Sequence, residues 1–103
     1  MLKLKWTQAA LQDMQETVDY IDQRNPQAAK GVAKKFHEAS LLLQEIPSLG
    51  REGRFPDMQE WVVSGTPYTL WYRINHVDNT LEILRVLHDA RQRPSKNQRG
   101  QSY

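Results

Sequence analysis

The sequence predicts an α+β fold of order β-α-α-β-β-β, in which a two-helix hairpin packs on one face of an antiparallel-dominated sheet. Three observations predict it. Apolar residues between positions 8 and 46 recur at spacings of three and four, the period of an amphipathic helix. Beyond residue 48 the pattern changes to short aromatic and β-branched runs with period two. Turn-forming clusters at Gly50–Asp57, Ser64–Pro67 and Asp78–Asn79 separate those runs.

Each element has its own signal. Leu2, Lys3, Leu4, Lys5 and Trp6 alternate, giving a strand with one apolar face. Thr7 offers an N-cap to a helix over residues 8–23, whose apolar stripe is Leu11, Met14, Val18 and Ile21. Asp13, Glu16, Asp19 and Asp22 make its other side acidic. Asn25 and Pro26 then suit a cap and a first helical position, because proline lacks an N–H that would be unused there. The second helix carries Ala29, Val32, Phe36, Ala39, Leu43 and Ile46, and Pro47 and Gly50 stop it. So short a link makes the two helices an antiparallel hairpin. Gly50 to Asp57 is a loop by composition. Glu60–Val63, Tyr68–Ile74 and Leu81–Leu87 are strands of a meander, and the first strand must join the same sheet to hide its apolar face. Residues 1–90 form the one domain. Residues 91–103, with almost nothing apolar, are expected to be a basic polar tail.

Composition narrows the function classes. The chain has 103 residues, 39% of them hydrophobic, enough for a small core. Mean hydropathy is low at -0.74, but three Trp, four Tyr and two Phe argue against disorder. The absence of cysteine excludes disulfides and cysteine-ligated metals. His37, His76 and His88 show no paired spacing, so neither a metal nor a cofactor is expected. No apolar run approaches a bilayer-spanning length, and the basic N-terminus lacks a signal-peptide stretch, so the expected home is cytoplasmic. Net charge is +2, but arginine supplies nearly all the cations after residue 50. Its planar fork suits phosphates and carboxylates.

Pleating assigns those arginines to faces. Tyr68, Leu70, Tyr72 and Ile74 should face the helices, leaving Thr69, Trp71 and Arg73 on the open side. In the last strand Leu84 and Val86 should face the helices, and Ile83, Arg85 and Leu87 the open side. Arg85 then lies next to Arg73, and Arg51 and Arg54 on a nearby loop complete a basic concavity. The competing reading pairs each arginine with Glu52, Glu60, Glu82 or Asp89 at the surface. His88 follows Leu84 and Val86, away from Arg73, unless a bulge re-aims it.

Four ordered segments carry a resemblance: Gly50-Arg51-Glu52-Gly53-Arg54, Glu60 to Tyr68, Trp71-Tyr72-Arg73-Ile74, and Ile83 to Arg91. With the opening strand and helical hairpin they resemble the RelE/ParE superfamily over residues 2–94. The resemblance implies the toxin of a type II toxin–antitoxin module, of the kind that stabilises plasmids and inhibits growth, with a cognate antitoxin as partner and no cofactor. One branch of that superfamily cuts messenger RNA on the ribosome, as mRNA interferases; another inhibits DNA gyrase. Under the nuclease branch His88 would be the acid or base and Arg73 a catalytic cation. Arg51, Arg54, Arg85 and Arg91 would contact nucleic acid or target, and Trp61 and Trp71 the antitoxin. Tyr68-Thr69 stands where many nuclease members carry an arginine, and only Lys96 follows Lys35 among the lysines. Those departures weigh toward the non-nuclease branch. A third alternative is a non-catalytic, antitoxin-binding member acting mainly in transcriptional regulation of its own operon.

Overall fold

A computed structural model describes residues 1–89; Arg91 and the tail expected over 91–103 lie outside the described residues. The chain runs through β1 (Lys3–Trp6), α1 (Gln8–Asp22), α2 (Pro26–Glu45), a 3-10 turn (Pro47–Leu49), β2 (Arg51–Glu52), β3 (Gln59–Val62), β4 (Tyr68–Asn75) and β5 (Thr80–His88). Both helix starts follow the sequence signals. Thr7 Oγ1 accepts from the Ala10 N–H at 3.2 Å and Asn25 Oδ1 from the Ala28 N–H at 3.1 Å, each satisfying a donor the helix itself cannot.

The sheet has the order β1-β5-β4-β3-β2. All neighbours are antiparallel except β1 and β5, which run parallel. The parallel pair follows from the connection: a long crossover through the helices and the meander returns the chain beside its own first strand. The segment read as a loop contains the short strand β2, in which Arg51 lies opposite Glu60 and Glu52 opposite Gln59. Its tight return places Asp57 at φ 64 and lets the Gly53 N–H reach the Met58 carbonyl at 2.9 Å.

The core lies between sheet and helices. Phe36, Leu43, Leu70, Tyr72, Leu81, Ile83 and Val86 are all fully buried there. The buried face of α1 is Ala10, Asp13 and Thr17, with Met14 and Ile21 packed beside it, so the helix is rotated relative to the expected stripe and Leu11 faces solvent. Among the described residues no helix is long and apolar enough to cross a membrane.

The last two strands contain an irregularity that matters for the site. Trp71 is opposite Arg85 while Tyr72 is opposite Ile83, so Leu84 is an extra residue in β5. Ile83 and Val86 both face the helices; Leu84 and Leu87 pack together on the open side. The expected assignment holds for Val86 and Leu87 and is reversed for Ile83 and Leu84, because the bulge shifts the pleat by one residue.

Candidate functional site

The open sheet face is assembled by register, since residues directly opposite on neighbouring strands share a face. One cross-strand row reads Lys5, Glu82, Arg73, and the next Trp71, Glu60, Arg51. Each arginine in these rows is held by the carboxylate beside it. Arg73 Nε donates to Glu82 Oε1 at 2.8 Å, and Arg51 Nη2 to Glu60 Oε1 at 3.5 Å. Both carboxylates belong to the set Glu52, Glu60, Glu82 and Asp89 that the competing sequence reading offered to the arginines as a group. Bonding from Arg73, helped by Asn75 and the field of Lys5, holds the Glu82 carboxyl below its usual range despite burial.

Local structure sets where Arg51 sits. The Tyr72 hydroxyl donates to the Pro47 carbonyl at 2.7 Å and accepts from the Gly50 N–H at 2.8 Å, tying the end of the 3-10 turn to the sheet. Burial pushes that hydroxyl above its ordinary value, the Gly50 bond offsetting part of the effect. Glycine suits this position because a Cβ at Gly50 would collide with the buried Tyr72 hydroxyl. Gln59 Nε2 also donates to the Gly50 carbonyl at 3.0 Å, so Arg51 leaves a backbone fixed on both sides.

On the same face as Arg73 lies a small buried apolar cluster. Trp71, Met58 and Leu87 are buried together with Leu84 against them, and Phe55 meets Trp71 edge-on at 5.9 Å. At one end lies an open cleft of about 700 Å³ lined by Glu52, Asp57, Gln59, Arg73, Asn75 and His76 among others. Arg54 lies on the turn between β2 and β3.

Arg85 is opposite Trp71 in register, but beside the bulge its side chain leaves this face for α1. Its Nε and Nη2 donate to the two carboxylate oxygens of Asp13 in α1 at 2.7 and 3.0 Å, and Asp13 Oδ2 also accepts the Val86 N–H at 2.9 Å. Thr7 completes the junction: its N–H reaches the Ile83 carbonyl and its hydroxyl the Leu84 carbonyl. The backbone groups around the bulge are thus satisfied by the start of α1, and Arg85 is drawn to the helix side. The Asp13 carboxylate also raises the Arg85 pKa. The expectation that Arg73 and Arg85 sit side by side is overturned, and so is the four-arginine concavity built on it.

His88 does keep its expected side. It lies opposite Tyr68 and meets that core ring edge-on at 5.1 Å, on the face away from Arg73. Thr69 is buried and donates its hydroxyl to Asp89 at 2.7 Å. The two tryptophans also divide. Trp71 is on the open side, whereas Trp61 is opposite Leu70 and packs against the core from the helix side. Lys5 was missed in the sequence, although it is the polar phase of the first strand. Among the described residues no group of three or more His, Asp or Glu is placed to hold a metal ion.

Comparison with known proteins decides the family. The model of the ParE toxin of type II toxin–antitoxin systems, parDE, matches residues 4–93. The chain belongs to the ParE toxin family. Within the wider RelE/ParE superfamily, this ParE-family toxin is 36% identical over 92 residues to "Putative toxin Y4kP" of Sinorhizobium fredii, covering 89% of this chain and 93% of the relative. It is 35% identical over 91 residues to toxin RelE2 of Caulobacter vibrioides, covering 88% and 99% respectively. Its fold is shared with a structure of the chromosomal ParDE TA system from P. aeruginosa, with TM-score 0.75 and 24% identity over 84% of this chain and 94% of that one.

Proposed function

We propose that this ParE-family toxin arrests growth by binding DNA gyrase, without cutting RNA, and that a cognate antitoxin neutralises it in the cytoplasm. The observation that carries this reading is the division of the nuclease candidates between two sides of the sheet. Cleavage by a ribose 2′-OH needs a base, an acid and cations converging on one phosphate, each within hydrogen-bond reach. Here Arg73 stands on the open face, while His88 packs on Tyr68 and Arg85 is engaged by Asp13 on the other. The open face instead combines the exposed guanidiniums of Arg51 and Arg73 with half-exposed Phe55 and Val62, a surface suited to protein recognition.

In this reading Arg51, Arg54 and Arg73 contact the target, and Trp61 and Trp71 belong to surfaces the antitoxin covers. The family model's link to parDE and the fold shared with a ParDE TA system support an antitoxin partner. The test is supercoiling of relaxed plasmid by purified gyrase, with toxin added at micromolar concentration. Inhibition that is relieved by the protein encoded in the neighbouring reading frame supports the proposal. Full supercoiling at every toxin concentration overturns it.

A further inference from the structure

Arg85 is the one arginine of β5, and α1 meets it with negative charge. Asp13 takes two of its five N–H donors, the Nε–H at 2.7 Å and an Nη2–H at 3.0 Å, one on each carboxylate oxygen. That side of the fork is otherwise suited to gripping a phosphate through two oxygens. Glu16, one turn further along α1, adds a second negative charge within reach of the same guanidinium.

Burial makes this grip hard to compete away. The Arg85 side chain is 44% exposed, but that of Asp13 only 7%. A phosphate arriving from solvent has to draw Arg85 off Asp13 and leave a buried carboxylate without its cation, which is strongly unfavourable. Asp13 is not free to follow, because its Oδ2 also accepts the Val86 N–H at 2.9 Å. The open-face arginines are held differently. Arg73 gives its carboxylate one bond through Nε, and Arg51 gives one of 3.5 Å, so both forks keep most of their donors for a partner. Register places Arg85 opposite Trp71, which shares its face with Arg73. Released from Asp13, the guanidinium would return toward Trp71 and add another cation to that face.

We propose that Asp13 determines the class of target: by sequestering Arg85 it withholds a phosphate contact from single-stranded nucleic acid and leaves the open face to a protein. The inference rests on the reading that the toxin acts on a protein without cutting RNA, and it deepens it by naming the residue that sets the choice. Asp13 is a positioning residue. It touches no target and acts through Arg85.

The experiment titrates full-length toxin into a fluorescently labelled single-stranded oligouridylate, from about 50 to about 200 mM salt. It compares wild type, Asp13→Asn, the Asp13→Asn/Arg85→Gln double variant, and Asp19→Asn. Asp13→Asn keeps an acceptor oxygen for the Val86 N–H, and thermal melts confirm which variants are folded. Asp19→Asn removes the same charge from the exposed side of α1 and controls for net charge. Asp13→Asn binds about fivefold or more tightly at the lowest salt, and its salt slope steepens by about 0.7, the signature of one more phosphate contact. The double variant and Asp19→Asn stay within about twofold of wild type, with its slope. A merely structural role for Asp13 gives no gain that depends on Arg85. Wild-type affinity in folded Asp13→Asn, or a gain that survives Arg85→Gln, overturns the inference and leaves the gyrase reading intact. Failure of wild type to inhibit supercoiling removes that reading and this one with it. Should Asp13→Asn fail to fold, the wild-type protein decides. The Arg85 Nε–H resonance keeps its position through an RNA titration at low salt, and a shift that saturates with RNA overturns the proposal.

Discussion

Replacing Asp13 by alanine tests the reason Arg85 is absent from the open face. Asp13 accepts three hydrogen bonds, two from the Arg85 guanidinium and one from the Val86 N–H beside the bulge. The Val86 donor is buried, so leaving it unpaired costs about 1–3 kcal/mol. The guanidinium is a different case. Its side chain is 44% exposed and regains water when Asp13 is removed, so the ion pair itself contributes at most about 1 kcal/mol. The sum is about 1–4 kcal/mol, and each kcal/mol lowers the Tm of a domain of this size by roughly 4–8 °C. Asp13→Asn keeps one acceptor oxygen and should lose about half as much. Glu16→Ala, which removes an exposed 3.3 Å bond from Gln12 and a weak, solvent-screened attraction to Arg85, should change stability by less than about 0.5 kcal/mol. Urea unfolding followed by circular dichroism measures all three. An Asp13→Ala variant within about 1 kcal/mol of wild type would refute the reasoning, since the bulge would then hold without its helix partner.

Three further outcomes follow from the same geometry. Gly50→Ala drives a methyl group into the buried Tyr72 hydroxyl and should destabilise by about 1–3 kcal/mol in thermal melts, whereas Gly31→Ala, with open space around it, should be neutral or stabilising. Glu82 has a depressed pKa in the folded state, so its contribution is fully present above the unfolded-state value of about 4.3 and is lost as pH falls through the lower folded value. The stability difference between wild type and Glu82→Gln should therefore be flat above about pH 5 and shrink below about pH 4, as read from unfolding curves across that range. His88→Ala should leave growth arrest within about twofold of wild type in a plating assay, well short of the 10²–10⁴-fold loss expected on removing a general acid or base.

Much of this architecture is legible from local rules. The spacing of apolar residues gave both helices, Thr7 and Asn25 marked their starts, and the aromatic runs gave the meander. That surface carboxylates, Glu60 and Glu82 among them, pair with arginines was one of two readings of the sequence; which acid meets which arginine needs the strand register. What escaped is non-local. No glycine or proline marks the bulge at Leu84, so nothing nearby shows that the pleat changes phase between Ile83 and Leu84. The aim of Arg85 depends on Asp13, 72 residues away. Asp13 in turn looked like part of a solvated acidic stripe, and its burial depends on how α1 rolls against the sheet. The strand β2 is only two residues long and its composition reads as a turn; it exists because Tyr72 and Gln59 anchor Gly50 from across the sheet.

Placing the candidate acid or base on one side of the sheet and Arg73 on the other leads to one claim: the toxin arrests growth with messenger RNA left whole. Mapping the 5′ ends of cellular mRNA by primer extension after toxin induction tests that most directly. The account predicts intact transcripts in arrested cells. Cuts phased with the codons, disappearing when His88 is replaced by alanine, would contradict it.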